Sequence, residues 1–254
     1  MFVLLKKAKT LLTVDKRWLV RYLWKYGKQK TAFFAAKFFR RNYWDVTEDG
    51  VTIKLSFFTP YHQSIAKSQH NRDYEKPVMQ AWMREIDGKK IIYDVGGFNG
   101  LYGLLAAKKN PGAHVTIFEP DRVNAAHVRA NILTNELKNC TIQEAAVSDY
   151  TGTTTFSQGG TSGEHIIDAG ETVKVIALRD LPHADLLKID VEGAELKALK
   201  GMGYASTILL EVHPLFVSRF NTSEEEISEF LSETGYQVEF LYERDKAKHY
   251  LLHP

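Results

Sequence analysis

Cysteine, long apolar runs and leader-like features are scarce or absent in this chain of 254 residues. A single cysteine, Cys140, excludes an intrachain disulfide, and nothing in the composition points to an oxidising compartment. No apolar run approaches the about 18 residues that a membrane span needs. The first apolar stretch ends at Lys6, too soon for the core of a signal peptide. We therefore expect a cytoplasmic chain in which Cys140 is a buried structural thiol.

Acidic residues are almost missing from residues 1–44. This stretch has twelve lysine and arginine side chains and one acid, Asp15, for a net charge of +11, whereas the rest of the chain carries a net charge of −9. Eleven aromatic residues are interleaved with the basic ones. Their spacing predicts two helices separated at residues 27–30. Such an asymmetry of charge indicates that this basic segment meets something anionic.

Two interpretations of residues 1–44 stay open at this point. In the first, the segment is an amphipathic helical cap whose rings pack on the domain or on a second subunit. In the second, it lies peripherally on the anionic inner surface of a membrane, where each cation adds up to about 1 kcal/mol to binding. Nucleic acid is a less favoured partner, although aromatic rings can stack on bases.

The most informative segment of the sequence is a glycine turn between a strand and a helix. Residues 91–95 have the apolar character of a short buried strand, and residues 101–107 are an apolar run that can begin a helix. Gly96, Gly97 and Gly100 lie between them and permit a tight turn in which backbone approaches a ligand. A turn that merely packs strand against helix is the alternative.

An acidic residue follows the next predicted strand, at the distance from the glycine turn that is typical of a ribose ligand. Residues 114–118 predict a strand that ends in Glu119, about twenty residues beyond the turn, where a carboxylate can accept hydrogen bonds from ribose hydroxyls. The turn and the acid together predict a nucleoside-bearing cofactor. A dinucleotide site would have the order G-x-G-x-x-G, whereas here it is Gly-Gly-x-x-Gly, which disfavours an NAD-dependent oxidoreductase.

Strands and helices alternate from residue 74 onward. The predicted strands are 91–95, 114–118, 140–146, 186–191, 207–212, 236–242 and 248–252, and the predicted helices are 74–88, 100–109, 121–136, 193–200 and 223–234. This alternation predicts an α/β, Rossmann-like fold with a seven-stranded, mostly parallel sheet, helices on both faces and a closing antiparallel hairpin. A small hairpin, 153–156 with 173–177, is expected beside a Gly/Ser-rich loop at 158–163.

The predicted domain organisation has two parts. Residues 1–73 form a basic, aromatic-rich extension of helices and a hairpin, the hairpin covering residues 45–58 with its turn at Glu48-Asp49-Gly50. Residues 74–254 form the α/β domain.

Five separated motifs carry a family resemblance. They are Asp-Val-Gly-Gly-Phe-Asn-Gly at 94–100, Phe-Glu-Pro-Asp at 118–121, Ala-Ala-Val-Ser-Asp at 145–149, Leu-Lys-Ile-Asp-Val-Glu-Gly-Ala-Glu at 187–195 and Leu-Glu-Val-His-Pro at 210–214. In order and spacing this series resembles the FkbM family of class I S-adenosylmethionine-dependent methyltransferases. The family usually has Asn where Phe98 stands. The resemblance implies S-adenosyl-L-methionine as cofactor and a hydroxyl acceptor, often on a sugar or a polyketide.

A cofactor site follows from the motifs and from the chemistry of their residues. Its predicted members are Glu75, Asp94, Gly96, Gly97, Asn99, Gly100, Glu119, Pro120, Glu144, Ala145 and Asp190. The helix N-terminus after Gly97 favours the cofactor carboxylate, and Asp94 helps to hold its amine. Glu119 is the ribose ligand, and the backbone N–H of Ala145 is placed to meet the adenine. Glu75 either approaches the amine or caps the next helix.

The predicted catalytic residues are Asp190 and His213, each at the end of a strand. Lys188, Asp190 and Glu192 alternate along one face, where a buried lysine beside a carboxylate has to pair or to serve a site. His213 is predicted to accept the hydroxyl proton or to bind the substrate. Its surroundings resemble the magnesium site of catechol-type O-methyltransferases, but a second Asp-Asn pair is absent, so no metal is predicted.

The sequence therefore predicts an O-methyltransferase that acts on a hydroxyl of a small molecule, a sugar or a glycan. One alternative is a non-enzymatic interaction protein that keeps the fold while its basic segment binds a partner. The other is a nucleic-acid methyltransferase, which the absence of an Asn/Asp-Pro-Pro-Tyr type of motif disfavours. The polar residues of the loop at 158–165 do not identify a ligand. We expect this loop to close over the substrate.

Overall fold

The computed structural model describes residues 43–56, 60–70, 75–156 and 170–254. The two helices predicted before residue 43 and the loop expected to cover the substrate lie outside these residues. The described chain begins with a hairpin in which β1 (Tyr43–Glu48) pairs antiparallel with β2 (Val51–Ser56). Asp49 and Gly50 form the turn with φ angles of 48° and 75°, as predicted.

Seven strands build the central sheet. Its members are β3 (Ile91–Val95), β4 (His114–Phe118), β5 (Cys140–Gln143), β9 (Leu186–Ile189), β10 (Ile208–Val212), β11 (Gln237–Arg244) and β12 (Ala247–His253). Their order across the sheet is β11-β12-β10-β9-β3-β4-β5, with parallel pairing from β10 through β5. The strand β12 runs antiparallel to both of its neighbours. The predicted mostly parallel sheet with a closing hairpin is confirmed.

One predicted strand, 140–146, is wrong because pairing changes partner at Glu144. The strand β5 belongs to the central sheet, whereas residues 145–147 belong to a separate three-stranded sheet. That sheet consists of β6 (Ala145–Val147), β7 (Gly152–Phe156) and β8 (Glu171–Ile176). The strand β8 pairs parallel with β6 and antiparallel with β7. The predicted small hairpin is therefore confirmed, with β6 as an additional strand.

Six α-helices occur in the described part of the chain. They are α1 (Pro60–His70), α2 (Lys76–Glu85), α3 (Leu101–Lys109), α4 (Arg122–Thr134), α5 (Glu195–Gly201) and α6 (Glu224–Thr234). Asp121 caps α4 by accepting from two backbone N–H groups, and Ser223 and Glu226 form the predicted capping box of α6. Sequence analysis missed α1, whose mixed polar sequence has no strong apolar period. None of these helices could cross a bilayer.

The core has two parts because side chains alternate along the sheet strands. Ile92 and Leu209 point to the face covered by α2, α3 and α4, whereas Tyr93 and Leu210 point to the face covered by α5 and α6. Helices on both faces are thus confirmed. Ile53 of the hairpin belongs to the first part, so the hairpin shares a core with the sheet. The boundary at residues 73 and 74 stays a prediction.

Cys140 is buried at the start of β5, and burial raises the pKa of its thiol to about 12. A thiol with such a pKa stays protonated and unreactive near neutral pH. The prediction of a buried structural cysteine is confirmed.

Candidate active site

A cleft of about 430 Å³ opens where the parallel strands end. It is lined by residues that follow β3, β4, β9 and β10, by β6 and by the turn between β11 and β12. The carboxyl ends of strands are where open α/β sheets bind ligands, and the volume suits a small molecule. Ten of the predicted site residues line it: Glu75, Asp94, Gly96, Gly97, Asn99, Glu119, Pro120, Ala145, Asp190 and His213.

Packing within the protein explains the glycines of the turn. Gly96 has a φ of 80°, and a β-carbon there would lie 1.7 Å from the carbonyl oxygen of Asp190. A β-carbon on Gly97 would lie 2.1 Å from the Cγ2 of Ile117. Gly100, with a φ of 86°, stands at the start of α3 and is not among the residues that line the cleft, and its cofactor contact stays a prediction.

Asp94 presents a carboxylate with one oxygen free. Its Oδ2 accepts a hydrogen bond of 2.8 Å from the backbone N–H of Gly103, whereas Oδ1 is buried without a hydrogen-bond partner among the described residues. Burial raises the pKa of Asp94, and the charge of Lys188 acts in the opposite direction. A buried carboxylate oxygen without a donor is costly, so this position suits a ligand that brings an N–H group.

Glu119 is almost fully buried at the end of β4. Its two oxygens accept backbone N–H bonds from Phe98, at 2.8 Å, and Asp121, at 2.9 Å. Burial raises the pKa of Glu119 to about 8. The side chain of Asn124 also hydrogen-bonds to Glu119. A carboxylate offers about four lone-pair sites, so these three bonds leave capacity for a hydroxyl donor.

Glu75 is buried in the cleft with partners on both oxygens. The hydroxyl of Tyr102 donates to Oε2 at 2.7 Å, and the guanidinium of Arg244 lies 2.8 Å from Oε1. Glu75 occupies the N-cap position of α2, but its side chain makes no capping bond there. The capping alternative is therefore wrong.

Two other predicted residues have different surroundings from those expected. The amide of Asn99 is used within the protein, because it donates to Gln69 at 2.6 Å and accepts from the N–H of Leu101. Glu144 does not line the cleft, and its exposed carboxylate pairs with Arg129. The change of strand partner at Glu144 leaves β6 along the cleft, and the cofactor contact of Glu144 stays a prediction.

The buried Lys188 and the partly exposed Asp190 form an ion pair at the end of β9. The Nζ of Lys188 lies 2.8 Å from the Oδ2 of Asp190 and 4.7 Å from the centre of the Tyr102 ring. Burial and the charge of Glu211 raise the pKa of Asp190 to about 6, with Lys188 opposing the shift. The predicted pairing of lysine and carboxylate on this face is confirmed.

His213 follows β10 and has carboxylates near both ring nitrogens. Its Nδ1 lies 2.9 Å from the Oε1 of Glu195. Its Nε2 lies 3.4 Å from a Glu211 oxygen, 3.6 Å from Glu192 and 3.9 Å from Asp190. Although burial favours the neutral ring, hydrogen bonds to Glu195 and Glu211 raise the pKa of His213 to about 11.

This pKa bears on the predicted role of His213 as a base. A raised pKa favours the protonated ring near neutral pH, which disfavours His213 as the acceptor of a hydroxyl proton. Glu192, whose pKa burial and the charge of Asp190 raise to about 8, also faces it. Glu192 does not cap a helix as considered from the sequence, because Glu195 accepts the N–H of Gly193 instead.

Sequence analysis missed the contribution of Glu195. This carboxylate is fully buried and reaches His213 from the first turn of α5. Residues 191–195, Val-Glu-Gly-Ala-Glu, repeat an acidic residue, and this repeat is the feature of the sequence that could have indicated a role for Glu195.

The fold and the cleft are those of a Rossmann-like α/β protein with a ligand site at the carboxyl edge of its sheet. The chain belongs to the FkbM methyltransferase family, since the methyltransferase FkbM domain matches residues 94–238, more than half of its length. The resemblance of the five motifs is thus confirmed.

Two curated relatives are each 27% identical to the chain. The first, the 31-O-demethyl-FK506 methyltransferase FkbM of Streptomyces tacrolimicus, matches over 170 residues, 48% of this chain and 65% of the relative. The second, the hexuronic acid methyltransferase AglP of Haloferax volcanii, matches over 172 residues, 59% of this chain and 68% of the relative. The chain therefore spans about two thirds of the length of these relatives.

Among solved structures, an O-methyltransferase from Bacillus cereus in complex with SAH is similar with a TM-score of 0.44 and 14% identity. The match covers 70% of this chain and 79% of that one.

Proposed function

We propose that this chain is an S-adenosylmethionine-dependent O-methyltransferase whose acceptor is a hydroxyl of a sugar or a related small molecule. One observation carries the proposal: the glycine turn lies between a buried carboxylate with an unpaired oxygen, on Asp94, and a second buried carboxylate, Glu119, in a chain of a methyltransferase family.

The residues of the cleft fit the parts of S-adenosylmethionine, which supplies a methyl group on a sulfonium. The unpaired Oδ1 of Asp94 suits the amine, directly or through water. Glu119 suits a ribose hydroxyl, and the N-terminus of α3 suits the carboxylate. The small side chains of Ala145 and Ala146, which line the cleft, leave space for the adenine.

The acceptor is proposed to bind beside Asp190. Methyl transfer to oxygen is an in-line displacement, in which the protein aligns the reactants and removes a proton. Lys188 holds the Oδ2 of Asp190, which leaves Oδ1, on the side of His213, to bind the hydroxyl and receive its proton. His213 keeps the neighbouring carboxylates in place.

The cleft supports a sugar-like acceptor. Phe216 and Phe220 line it together with Glu192 and Glu211, so apolar rings and hydrogen-bond acceptors face one space. A sugar offers apolar ring faces and hydroxyl donors to such a surface. The two curated relatives are named for 31-O-demethyl-FK506 and for hexuronic acid, and both names support a hydroxylated acceptor.

Titration calorimetry with S-adenosylhomocysteine tests the cofactor part of the proposal. At pH 9, where Glu119 is ionised, we expect a micromolar dissociation constant for the full chain and a loss of affinity of about tenfold or more in Glu119→Gln, since each lost bond to a charged group costs about 1.5–3 kcal/mol. The matched control is Glu144→Gln, an acid outside the cleft, which should bind as the parent does. Binding of a nicotinamide dinucleotide in the absence of any response to S-adenosylhomocysteine would overturn the proposal.

A further inference from the structure

We propose that Asp190, Glu192 and His213 form a binding site for one divalent cation of the Mn²⁺ or Mg²⁺ class. These side chains come from the end of β9 and the end of β10, and all three line the cleft. No metal was predicted from the sequence because it lacks the second Asp-Asn pair of the catechol-type magnesium site. The structure places a different set of ligands at the same edge of the sheet.

The ligand atoms are close enough for one ion. One atom from each of the three side chains lies within 4.8 Å of the other two. The Nε2 of His213 is 3.6 Å from Glu192 and 3.9 Å from Asp190. With metal–ligand bonds of about 2.1 Å, adjacent ligands of an octahedral ion lie about 3.0 Å apart and opposite ones about 4.2 Å. The measured separations of His213 from the two acids fall between these values, so small side-chain rotations suffice.

Glu195 orients the imidazole for ligation. Its Oε1 lies 2.9 Å from the Nδ1 of His213 and also accepts the N–H of Gly193 at 2.9 Å. Metal-bound histidines usually donate their other N–H to a carboxylate in this way, which directs the remaining nitrogen at the ion. Here the remaining nitrogen, Nε2, faces both acids. The second oxygen of Glu195 is buried without a hydrogen-bond partner among the described residues.

The local charge favours a cation. Four carboxylates, those of Asp190, Glu192, Glu195 and Glu211, surround the ring of His213. Lys188 pairs with Asp190, and His249 lies 3.2 Å from Glu211, so Glu192 and Glu195 are the acids of this cluster that are paired with neither Lys188 nor His249. Buried carboxylates need paired charge, and carboxylate oxygens with an imidazole suit Mn²⁺. An ion at this site would take the lone pair of Nε2 in place of the proton.

With a cation bound, the Oδ1 of Asp190 would be a ligand, so the cation would instead polarise the acceptor hydroxyl and its proton would be lost to bulk water. This consequence rests on the proposed methyl transfer, whereas the binding of the cation does not.

The test is a titration of the chelator-treated full chain with MnCl₂, in which electron paramagnetic resonance measures free Mn²⁺. We expect one Mn²⁺ per chain with a dissociation constant of about 1 mM or tighter. Glu192→Gln and Glu195→Gln should each weaken binding by about tenfold or more. The control Glu224→Gln removes an acid that pairs with Lys248 away from the cleft and should bind as the parent does.

Thermal melts and S-adenosylhomocysteine binding are measured on the same samples, so that a loss of Mn²⁺ is read only from folded protein. Glu192 is partly exposed, so its variant serves if the buried Glu195→Gln does not fold. Absence of Mn²⁺ binding in the parent, or unchanged binding in a folded Glu192→Gln, overturns the cation site. If the parent binds Mn²⁺ but not S-adenosylhomocysteine, the result supports the cation site and refutes the proposed function.

Discussion

The carboxylate of Glu119 accepts the backbone N–H of Phe98 at 2.8 Å, which ties the end of β4 to the glycine turn. Phe98 has a positive φ of 49°, so this bond supports a backbone conformation that is uncommon outside glycine. The group proposed to hold the ribose is thus also a fixed part of the turn.

The first prediction concerns pH and cofactor affinity. Burial raises the pKa of Glu119 to about 8, so the free protein holds this carboxyl protonated below that pH. Ribose hydroxyls prefer the ionised form, and affinity for S-adenosylhomocysteine should therefore rise with pH, by about tenfold from pH 7 to pH 9. Calorimetry across this range measures it. A flat profile in the parent, or the same slope in Glu119→Gln, would contradict the assignment.

The second prediction distinguishes two costs of replacing a glycine by alanine. One is the collision of the new β-carbon with its neighbours, and the other is the strain of a backbone with positive φ. Gly96→Ala should lose at least about 2 kcal/mol more stability than Gly88→Ala, because only at Gly96 would the new β-carbon collide with backbone. Gly88 has a similar φ of 76° and nothing within 4 Å, which makes it a matched control. Urea unfolding gives both values, and equal losses would refute the crowding argument.

The third prediction concerns the ion pair of Lys188 and Asp190. Lys188→Met should destabilise the protein by about 1–3 kcal/mol, because it leaves the partly exposed carboxylate of Asp190 without its cation. Adding Asp190→Asn to that variant should recover part of the loss. A double-mutant cycle from chemical unfolding measures the coupling. If the double variant lost the sum of the two single effects, the pair would not be coupled.

The fourth prediction distinguishes the interpretations of residues 1–44. If this segment lies on lipid, the full chain should sediment with anionic but not with neutral vesicles, and salt should weaken the binding. Deletion of residues 1–42 should abolish it. A segment that caps the domain or contacts a second subunit predicts no sedimentation with either kind of vesicle at low salt.

Local patterns explain what could be predicted from the sequence. The strand His114–Phe118 and the capping box at Ser223 and Glu226 were placed correctly. Apolar alternation, glycine spacing and capping residues act over a few neighbours, so they can be read without the rest of the chain. The same holds for the glycine turn, whose order disfavours a dinucleotide site.

The sequence by itself determined the alternation of the central strands with α2 to α6 and the family motifs. Tertiary structure decided that β6 leaves the central sheet at Glu144 and that Glu195 reaches His213 from another element. It also decided the high pKa of His213, because that shift depends on carboxylates from α5 and β10. Packing of strands that are adjacent in space but distant in sequence sets these distances, and electrostatic energies depend on such distances rather than on residue order.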